Sequence, residues 1–193
     1  MVFKRRIWNW KIIKSQLGSK QQFKDNYNLF NKQTTDTTKQ KKEMAVTWYF
    51  KQLNQFNEEE RQQVYDIRDE TFCDGGEKDL GCKPLDEIDE YCYHSFAWGD
   101  EGLMAYCRVI QEKEDLYRIA RVLVHKRARG KGMGQQLINY TCDQIKEYFD
   151  GREVTLDALE YIHSMYLKVG FFLTGGTTDF NGIPALTMNR LLK

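Results

Sequence analysis

Apolar residues recur along the chain in two patterns, one typical of strands and one of helices. β-Branched and aromatic residues at 46–50 predict a first strand. Asn57, with Glu60 three positions later, has the spacing of a capping box, which predicts a helix that runs towards Phe72. Beyond this helix, glycines and aspartates predict a loop that ends in an acidic turn at 85–91.

Further strands and helices follow along the rest of the chain. Alternating apolar residues predict strands at 94–98, 103–110, 116–125, 153–158, 171–174 and 183–191. Apolar residues at helical spacing predict a long helix at 133–148, and 160–168 predicts a short one that ends before Gly170. Turns are predicted at 99–102 and 179–182. This mixture of elements predicts an α/β protein of the α+β type.

The composition is that of an ordinary globular protein. The chain has 193 residues, of which 41% are hydrophobic and 30% are charged, and this suits one domain with its own core. No apolar run approaches the ~18 residues of a membrane helix. Asn9 and Lys11 interrupt the basic N-terminus, so we do not expect a signal peptide. We therefore expect a cytoplasmic protein with no membrane span.

Cysteine and histidine usage does not predict a metal site. The residues concerned are Cys73, Cys82, Cys92, Cys107, Cys142, His94, His125 and His163. The cysteines are odd in number and lack the CxxC spacing, and the histidines are far apart in sequence. We expect free thiols in a reducing compartment and no metal.

Charge divides the chain into two parts. Residues 1–43 hold 11 of its 29 basic and 3 of its 28 acidic residues, a net charge of +8, which leaves 18 basic and 25 acidic residues, a net charge of −7, for 44–193. The first part is expected to be a disordered basic extension, because its later half cannot bury enough apolar surface to order itself. Its first half could instead form an amphipathic helix that contacts anionic lipid or nucleic acid. Residues 44–193 are expected to form one folded domain.

A glycine-rich segment, RARGKGMGQQ at 127–136, joins a predicted strand to the helix that follows. It fits neither of two common phosphate-binding templates. A Walker A loop would need Gly in place of His125, and a dinucleotide fingerprint would need Gly in place of Gln135. The pattern that remains is R-x-x-G-x-G at 127–132, with a further Gly134.

This segment has the properties of a pyrophosphate-binding loop. The first N–H groups of a helix lack intrahelical acceptors and lie at the positive end of the helix dipole. Gly130, Gly132 and Gly134 have no Cβ atoms to keep a diphosphate from these donors. Arg129 and Lys131 add positive charge. The alternative is a glycine-rich turn with solvated cations.

Two motifs resemble those of the GNAT superfamily of acetyl-CoA-dependent acetyltransferases. The R-x-x-G-x-G loop resembles the family's signature for the coenzyme A pyrophosphate, and SMYLKVGFF at 164–172 is similar to its second signature. The segments IRDETF, DEIDEYCYH, LDALEYIHSMYLKVGFF and FNGIPALTM resemble the ElaA-like branch of the family. The likeness runs from about Val46 to the C-terminus.

This resemblance implies a GNAT fold and acetyl-CoA as the co-substrate. The fold is a mixed central sheet of about six to seven strands, with helices on both faces and a separation of strands where acetyl-CoA binds. The backbone around Leu123 and Val124 would pair with pantetheine, and the 127–135 loop would hold the pyrophosphate. The loop residues implied in coenzyme A binding are Arg129, Gly130, Lys131, Gly132, Met133, Gly134 and Gln135.

Two catalytic candidates emerge beside the cofactor residues. Tyr166 falls where the family keeps the general acid that protonates the leaving thiolate, a role that suits a phenol with an ordinary pKa near ~10. Alternatively, Tyr166 is a core aromatic residue on a helix face. His94, like Glu87 and Asp89, lies before or at a strand that could line the acceptor cleft. It could equally be a strand-end histidine with satisfied hydrogen bonds, and no general base is identified.

We expect an N-acetyltransferase that moves the acetyl group of acetyl-CoA directly to an amine of a small molecule or a protein. The alternative is a non-catalytic acyl-CoA-binding domain with a regulatory role. The acidic charge of 44–193 suits a cationic acceptor and disfavours nucleic acid, for which only the basic extension argues. A homodimer is a further expectation. Leu159 and Ala185 replace a usual Gln and His of the branch, on the expected acceptor side.

Overall fold

The computed structural model describes residues 45–193, and the extension expected at 1–43 lies outside the described residues. Seven strands form one sheet across the described part of the chain. They are β1 (Val46–Gln52), β2 (Tyr93–Gly99), β3 (Gly102–Gln111), β4 (Leu116–Val124), β5 (Glu153–Leu159), β6 (Phe172–Phe180) and β7 (Ile183–Leu191). Each strand that the sequence predicts is present.

Three α-helices accompany this sheet within residues 45–193, and none of them is long and apolar enough to cross a membrane. They are α1 (Glu58–Phe72), α2 (Met133–Phe149) and α3 (His163–Lys168). The predicted capping box opens α1: Asn57 Oδ1 accepts from the Glu60 N–H at 2.8 Å, and Glu60 Oε2 accepts from the Asn57 N–H at 3.0 Å. The helix predicted at 160–168 is α-helical only from His163, because Glu160–Ile162 form a 3-10 turn.

The strand order is β1-β2-β3-β4-β5-β7-β6. Neighbouring strands are antiparallel except β4 and β5, which run parallel. Two parallel neighbours need a crossover connection, and α2 supplies it. The mixed seven-stranded sheet agrees with the predicted fold class.

Apolar side chains form a separate core on each face of the sheet. On one face, α1 places Val64, Ile67 and Phe72 against Phe96 and Tyr106. On the other face, the buried apolar residues of α2 are Met133, Leu137, Ile138, Cys142 and Ile145. Each large apolar side chain buried in this way stabilises the fold by ~1.5–3 kcal/mol before entropy is counted. Helices therefore cover both faces, as predicted.

β4 separates from β5 soon after both strands begin. The two strands pair only at residues 116–118 of β4 and 153–155 of β5. Further along, β5 pairs with β7 and β4 pairs with β3. A V-shaped gap therefore opens between the second halves of β4 and β5.

A β-bulge lies on β4 beside this gap. The register shifts between Tyr106 and Arg108 of β3, so that Arg121 and Val122 of β4 lie opposite one residue. Arg121 has a left-handed backbone with φ 55°, which costs a non-glycine residue about 1–2 kcal/mol. Because a bulge bends its own strand, it helps to direct this part of β4 away from β5.

The final hairpin is longer than the sequence predicts. β6 continues past the predicted strand to Phe180, and the turn consists of Asn181 and Gly182, with φ 53° and 81°. A two-residue turn with left-handed backbone matches the twist of the strands that it joins. The sequence does not predict the additional length of β6, because Gly175 and Gly176 interrupt the apolar alternation. The register between β6 and β7 shifts around these two glycines.

Four charged residues, which we call the ion cluster, lie between α1, β3 and the segment before β2. Arg68 and Asp89 are fully buried and pair at 2.7 Å through Nη1 and Oδ1. Arg108 Nη1 donates to the same Oδ1 at 3.1 Å and to Asp86 Oδ1 at 2.7 Å. Burial alone would raise the pKa of Asp89, but the hydrogen bond and charge of Arg68 hold it below its usual value.

We expect Asp89→Asn to destabilise the fold by about 3–5 kcal/mol, because it leaves buried guanidinium groups short of a carboxylate. Urea unfolding measures the change. Because folding lowers the pKa of Asp89, the carboxylate stabilises the wild-type protein above its unfolded-state pKa of ~3.9, and this contribution is lost as the pH falls through the folded-state pKa. The matched control is Glu90→Gln, on an exposed neighbour. Equal unfolding free energies for the two variants would contradict the prediction.

Candidate active site

A first cleft, of about 460 Å³, opens beside the end of β4. Its walls come from the end of β4, the glycine segment that starts α2, and α3 with the turn before it. The lining residues from these elements include Val122, Leu123, Val124, Gly130, Gly132, Met133, Gly134, Gln135, Tyr161, Ile162, Met165 and Tyr166. The cleft therefore gathers two of the predicted groups, the end of β4 and the glycine loop, around Tyr166.

The glycines of the loop have the backbone that this helix start requires. Gly130 and Gly132 are left-handed, with φ 73° and 80°, a region that glycine adopts without strain. Gly132 is the N-cap of α2, so the helix begins at the cleft with Met133 and Gly134. The N–H groups of these two residues precede any intrahelical acceptor. The N–H of Gln135, by contrast, already donates to the Gly132 carbonyl at 3.1 Å.

The two predicted cations of the loop occupy different positions. Arg129 lines the cleft, and its Nη1 and Nη2 donate to the two carboxylate oxygens of Glu77, each at 2.8 Å. Its Nε donates to the Val124 carbonyl at 2.9 Å. Lys131 Nζ donates to the Arg127 carbonyl at 3.0 Å, and Lys131 is not among the residues that line the cleft. Arg129 is therefore the loop cation that faces the first cleft.

A second cleft, of about 230 Å³, occupies the gap between β4 and β5. β4 contributes residues 118–122, and β5 contributes Leu156, Asp157 and Leu159. The residues that line both clefts are Lys78, Val122, Ile162 and Tyr166. The two clefts therefore adjoin at these residues, and Leu159, one of the departures from the ElaA-like pattern, lies on the second.

Tyr166 belongs both to the core and to the junction of the clefts. Its side chain is 2% exposed and packs edge-on against Phe171, with ring centroids 5.9 Å apart. Burial raises the pKa of Tyr166, so the phenol stays protonated at neutral pH. The two interpretations of Tyr166 are compatible, because the same side chain packs in the core and lines both clefts.

The structure places His94 in the core rather than on either cleft. Its ring is fully buried, with Nε2 3.0 Å from the Asp89 carbonyl oxygen and Nδ1 2.7 Å from the Tyr106 hydroxyl. Because a carbonyl only accepts, Nε2 carries the proton and Nδ1 accepts from Tyr106. Burial lowers the pKa of His94 to about 4. This contradicts the expectation that His94 lines the acceptor cleft and matches the alternative of a histidine with satisfied hydrogen bonds.

Folding brings together one group of metal-ligand residue types that the sequence does not predict. Asp89, Cys92 and His94 are buried, with potential ligand atoms within 4.8 Å of one another. However, Arg68 and Arg108 both donate to the Asp89 carboxylate, and burial raises the pKa of Cys92 to about 12. A cation there would face two guanidinium groups and a neutral thiol, so these residues fit an internal hydrogen-bond network better than a metal site.

Comparisons with known proteins agree with this architecture. A model of the family described as "Acetyltransferase (GNAT) domain" matches residues 83–192. The chain belongs to the GNAT acetyltransferase family. The UPF0039 protein C11D3.02c of Schizosaccharomyces pombe is 30% identical over 145 residues, which cover 74% of this chain and 95% of that protein. The family that the sequence motifs resemble is thereby confirmed.

Relatives of this acetyltransferase include the predicted branch. Protein ElaA of Escherichia coli is 30% identical over 99 residues, 50% of this chain and 65% of ElaA. The ElaA crystal structure superimposes with a TM-score of 0.68 at 22% identity, covering 76% of this chain and 99% of that chain. A Pseudomonas aeruginosa acyl-CoA N-acyltransferase gives the same TM-score at 25% identity and the same coverage. These matches confirm the GNAT fold and support an enzyme of the N-acetyltransferase class.

Several cleft residues of this acetyltransferase are not predicted by the sequence, and two of them come from an unexpected loop. Glu77 and Lys78 line the first cleft, yet they lie in the irregular loop after α1, where no periodicity marks them. Backbone hydrogen bonds from Glu77 and Lys78 to the end of α1 hold this loop in place, and Arg129 donates two hydrogen bonds to Glu77 at the cleft. Glu77 and Arg129 are far apart in the sequence, so the contact between them could be recognised only from the folded structure.

We expect Gly134→Ala to weaken acetyl-CoA binding about tenfold while the fold keeps its stability. An added Cβ would lie 3.6 Å from Val124 Cγ2 and 3.8 Å from Met165 Cε, which is ordinary contact. Alanine in a helix is favoured over glycine by ~0.5–1 kcal/mol. All three residues line the first cleft, so a ligand bound in this cleft would have to make room for the new methyl group, and overpacking of this kind typically costs ~1–3 kcal/mol.

Calorimetry with acetyl-CoA and urea unfolding of the full chain test both halves of this prediction. Gln136→Ala is the control, because Gln136 is an exposed residue of α2 outside the cleft wall. If Gly134→Ala binds acetyl-CoA as tightly as the control, acetyl-CoA does not contact the cleft wall at Gly134.

Proposed function

We propose that this acetyltransferase holds acetyl-CoA in the first cleft and an amine acceptor in the second, and transfers the acetyl group directly where they adjoin. The observation that carries the proposal is the junction itself. Val122 and Tyr166 line both clefts, at the point where β4 has separated from β5. Two substrates bound on either side would meet beside a protonated phenol.

The pyrophosphate of coenzyme A is assigned to the 127–135 loop. The N–H groups of Met133 and Gly134, together with the dipole of α2, favour an anion at this helix start. Arg129 lines the same wall and can pair with a diphosphate by two parallel hydrogen bonds, as it does with Glu77. Binding would thus exchange the Glu77 carboxylate for the pyrophosphate.

The pantetheine arm is assigned to β4 at Leu123 and Val124. Among residues 45–193, no strand pairs with β4 on this side beyond residue 118. Apart from the Val124 carbonyl, which accepts from Arg129 Nε, the backbone groups on this edge therefore need another partner. An extended amide chain would provide one. A backbone N–H near the junction would then face the thioester oxygen, and one such donor typically lowers the barrier by ~3 kcal/mol.

The transfer itself needs a neutral amine and a proton for the leaving group. The amine nitrogen attacks the thioester carbonyl carbon, the C–N bond forms, the C–S bond breaks, and the surplus amine proton passes to water. Tyr166 gives its phenolic proton to the departing thiolate and regains one from solvent. The raised pKa of Tyr166 differs from the ordinary value expected from the sequence and makes the phenol a weaker acid. The proton therefore moves only as negative charge develops on the departing sulfur.

Calorimetry with Gly132→Asp and Gly132→Asn tests the assignment of the loop. Both variants place a side chain at φ 80°, so both bear the same kind of backbone strain, but only Asp adds a negative charge where the pyrophosphate should bind. We expect the wild-type chain to bind acetyl-CoA with a Kd of about 1 μM, Asn to keep much of this affinity, and Asp to lose it. Wild-type protein that fails to bind acetyl-CoA would overturn the proposed function.

We expect Tyr166→Phe to lower kcat about 100-fold or more, the usual contribution of a general acid, with an unchanged Kd for acetyl-CoA. The ring remains, so its packing against Phe171 is kept. Release of the coenzyme A thiol gives kcat, and calorimetry gives Kd. Because burial raises the pKa of Tyr166, the wild-type rate should not fall through loss of this proton below pH ~10. An unchanged kcat would remove Tyr166 from the mechanism.

A further inference from the structure

The charges that line the second cleft are mostly positive, although residues 44–193 are acidic as a whole. The charged lining residues are Lys78, Arg108, Arg118, Arg121 and Asp157. The charge of a bound ligand interacts mainly with the charges that line its site, because water and salt screen the charges farther away. The cleft that would hold the acceptor is therefore a basic site in an acidic domain.

Asp157, the carboxylate of this lining, is already engaged. One of its oxygens accepts from Arg118 Nη1 at 2.7 Å, and the other accepts from Thr187 Oγ1 at 2.8 Å. Arg118 also pairs with Glu112. With Glu112, this group carries one net negative charge, but Glu112 does not line the cleft. Of the two residues that do line it, Arg118 and Asp157 balance one another.

The arginines on the other wall are not balanced. Arg121 extends the ion cluster: Arg68, Arg108 and Arg121 bring three guanidinium groups, against the two carboxylates of Asp86 and Asp89. Arg68 and Arg108 take the short contacts, at 2.7 Å each. Arg121 Nη2 is left 3.6 Å from Asp86 Oδ2, beyond good hydrogen-bond length. One positive charge therefore remains in excess beside the second cleft.

Arg121 is also held in an unusual way. It occupies the bulge of β4 with φ 55°, a conformation that persists for a long side chain only where the surroundings impose it. Its Nε is buried and has no hydrogen-bond partner among residues 45–193, and the same is true of Arg108 Nε. Burial and the neighbouring guanidinium groups lower the pKa of Arg121, as expected where positive charge is in excess.

We propose that the acetyl acceptor carries a carboxylate in addition to its amine, and that Arg121 binds this carboxylate. The inference rests on the proposed function, because it assigns the second cleft to the acceptor. Arg121 lines the second cleft and directly precedes Val122, which lines both clefts, so Arg121 borders the acceptor side of the junction. The small cleft, of about 230 Å³, suits a short amino acid or a single residue of a longer acceptor. Arg121 is a specificity-determining residue in this scheme.

Matched acceptors test this assignment on the full-length chain. Glycine, 3-aminopropanoate and 5-aminopentanoate are each compared with the alkylamine and the diamine of the same carbon number, at saturating acetyl-CoA. Release of the coenzyme A thiol gives kcat/KM. We expect at least one amino acid to exceed its alkylamine and its diamine by tenfold or more, the usual effect of a charge-assisted hydrogen bond. A preference for the diamines or alkylamines, or no turnover of any amino acid, overturns the proposal.

The variant Arg121→Asn assigns the preference to this residue. Asparagine tolerates a left-handed backbone, so it removes the guanidinium without adding strain. We expect the ratio of kcat/KM for amino acid over alkylamine to fall about tenfold, and Arg121→Lys to restore part of it. Arg152→Asn, on an exposed arginine outside both clefts, should keep the wild-type ratio. A ratio that survives in Arg121→Asn overturns the role of Arg121.

Acetyl-CoA binding separates a failure of this inference from a failure of the proposed function. Arg121 does not line the first cleft, so the Kd for acetyl-CoA should be the same in the wild type and in Arg121→Asn. A wild-type chain that binds acetyl-CoA and prefers diamines refutes only the carboxylate acceptor. A wild-type chain that does not bind acetyl-CoA refutes the proposed function as well.

Discussion

The separation of β4 from β5 is the constraint on which the rest of the site depends. Parallel neighbours would normally continue to pair, since an unpaired backbone group loses a hydrogen bond when water is excluded. Here pairing stops at residue 118 of β4, and a bulge with a left-handed Arg121 directs the strand away. The exposed edge forms one wall of the first cleft, and the gap itself forms the second. Both clefts are consequences of a single interruption in the sheet.

The ion cluster lies beside this interruption and determines the charge of the gap. Arg68 on α1 and Arg108 on β3 are joined through Asp86 and Asp89, which lie in the segment before β2. The cluster therefore connects the helix, the sheet and the irregular loop on the side where β4 loses its partner. Ion pairs of this kind gain little net stability over an apolar core. The cluster is neutral in itself, but its two carboxylates are already engaged by Arg68 and Arg108, which leaves the charge of Arg121 in excess beside the gap.

Features that depend on neighbours in sequence are the ones that the sequence predicts. The glycine loop and the capping box at Asn57 involve residues a few positions apart, and the structure has both. Tyr166 is predicted only from its family motif, because its position at two clefts depends on elements that are far apart in the chain. The surroundings of His94 combine Asp89 from a turn with Tyr106 from another strand. The pattern of apolar residues does not predict contacts between such distant segments. A buried histidine and an active-site histidine therefore cannot be distinguished from the sequence.

The net charge and the second cleft favour different acceptors, for a related reason. The excess of acidic residues in 44–193 describes the protein as seen from a distance, and at physiological salt an exposed charge is screened beyond ~8 Å. A ligand inside the second cleft is shielded from most of that surface and interacts instead with Arg108 and Arg121, whose side chains are mostly buried. The near, desolvated charges dominate because the interaction grows as both distance and dielectric fall. The long-range field would slow the approach of an anionic amine without preventing its recognition, so a domain can be acidic overall and still select a carboxylate.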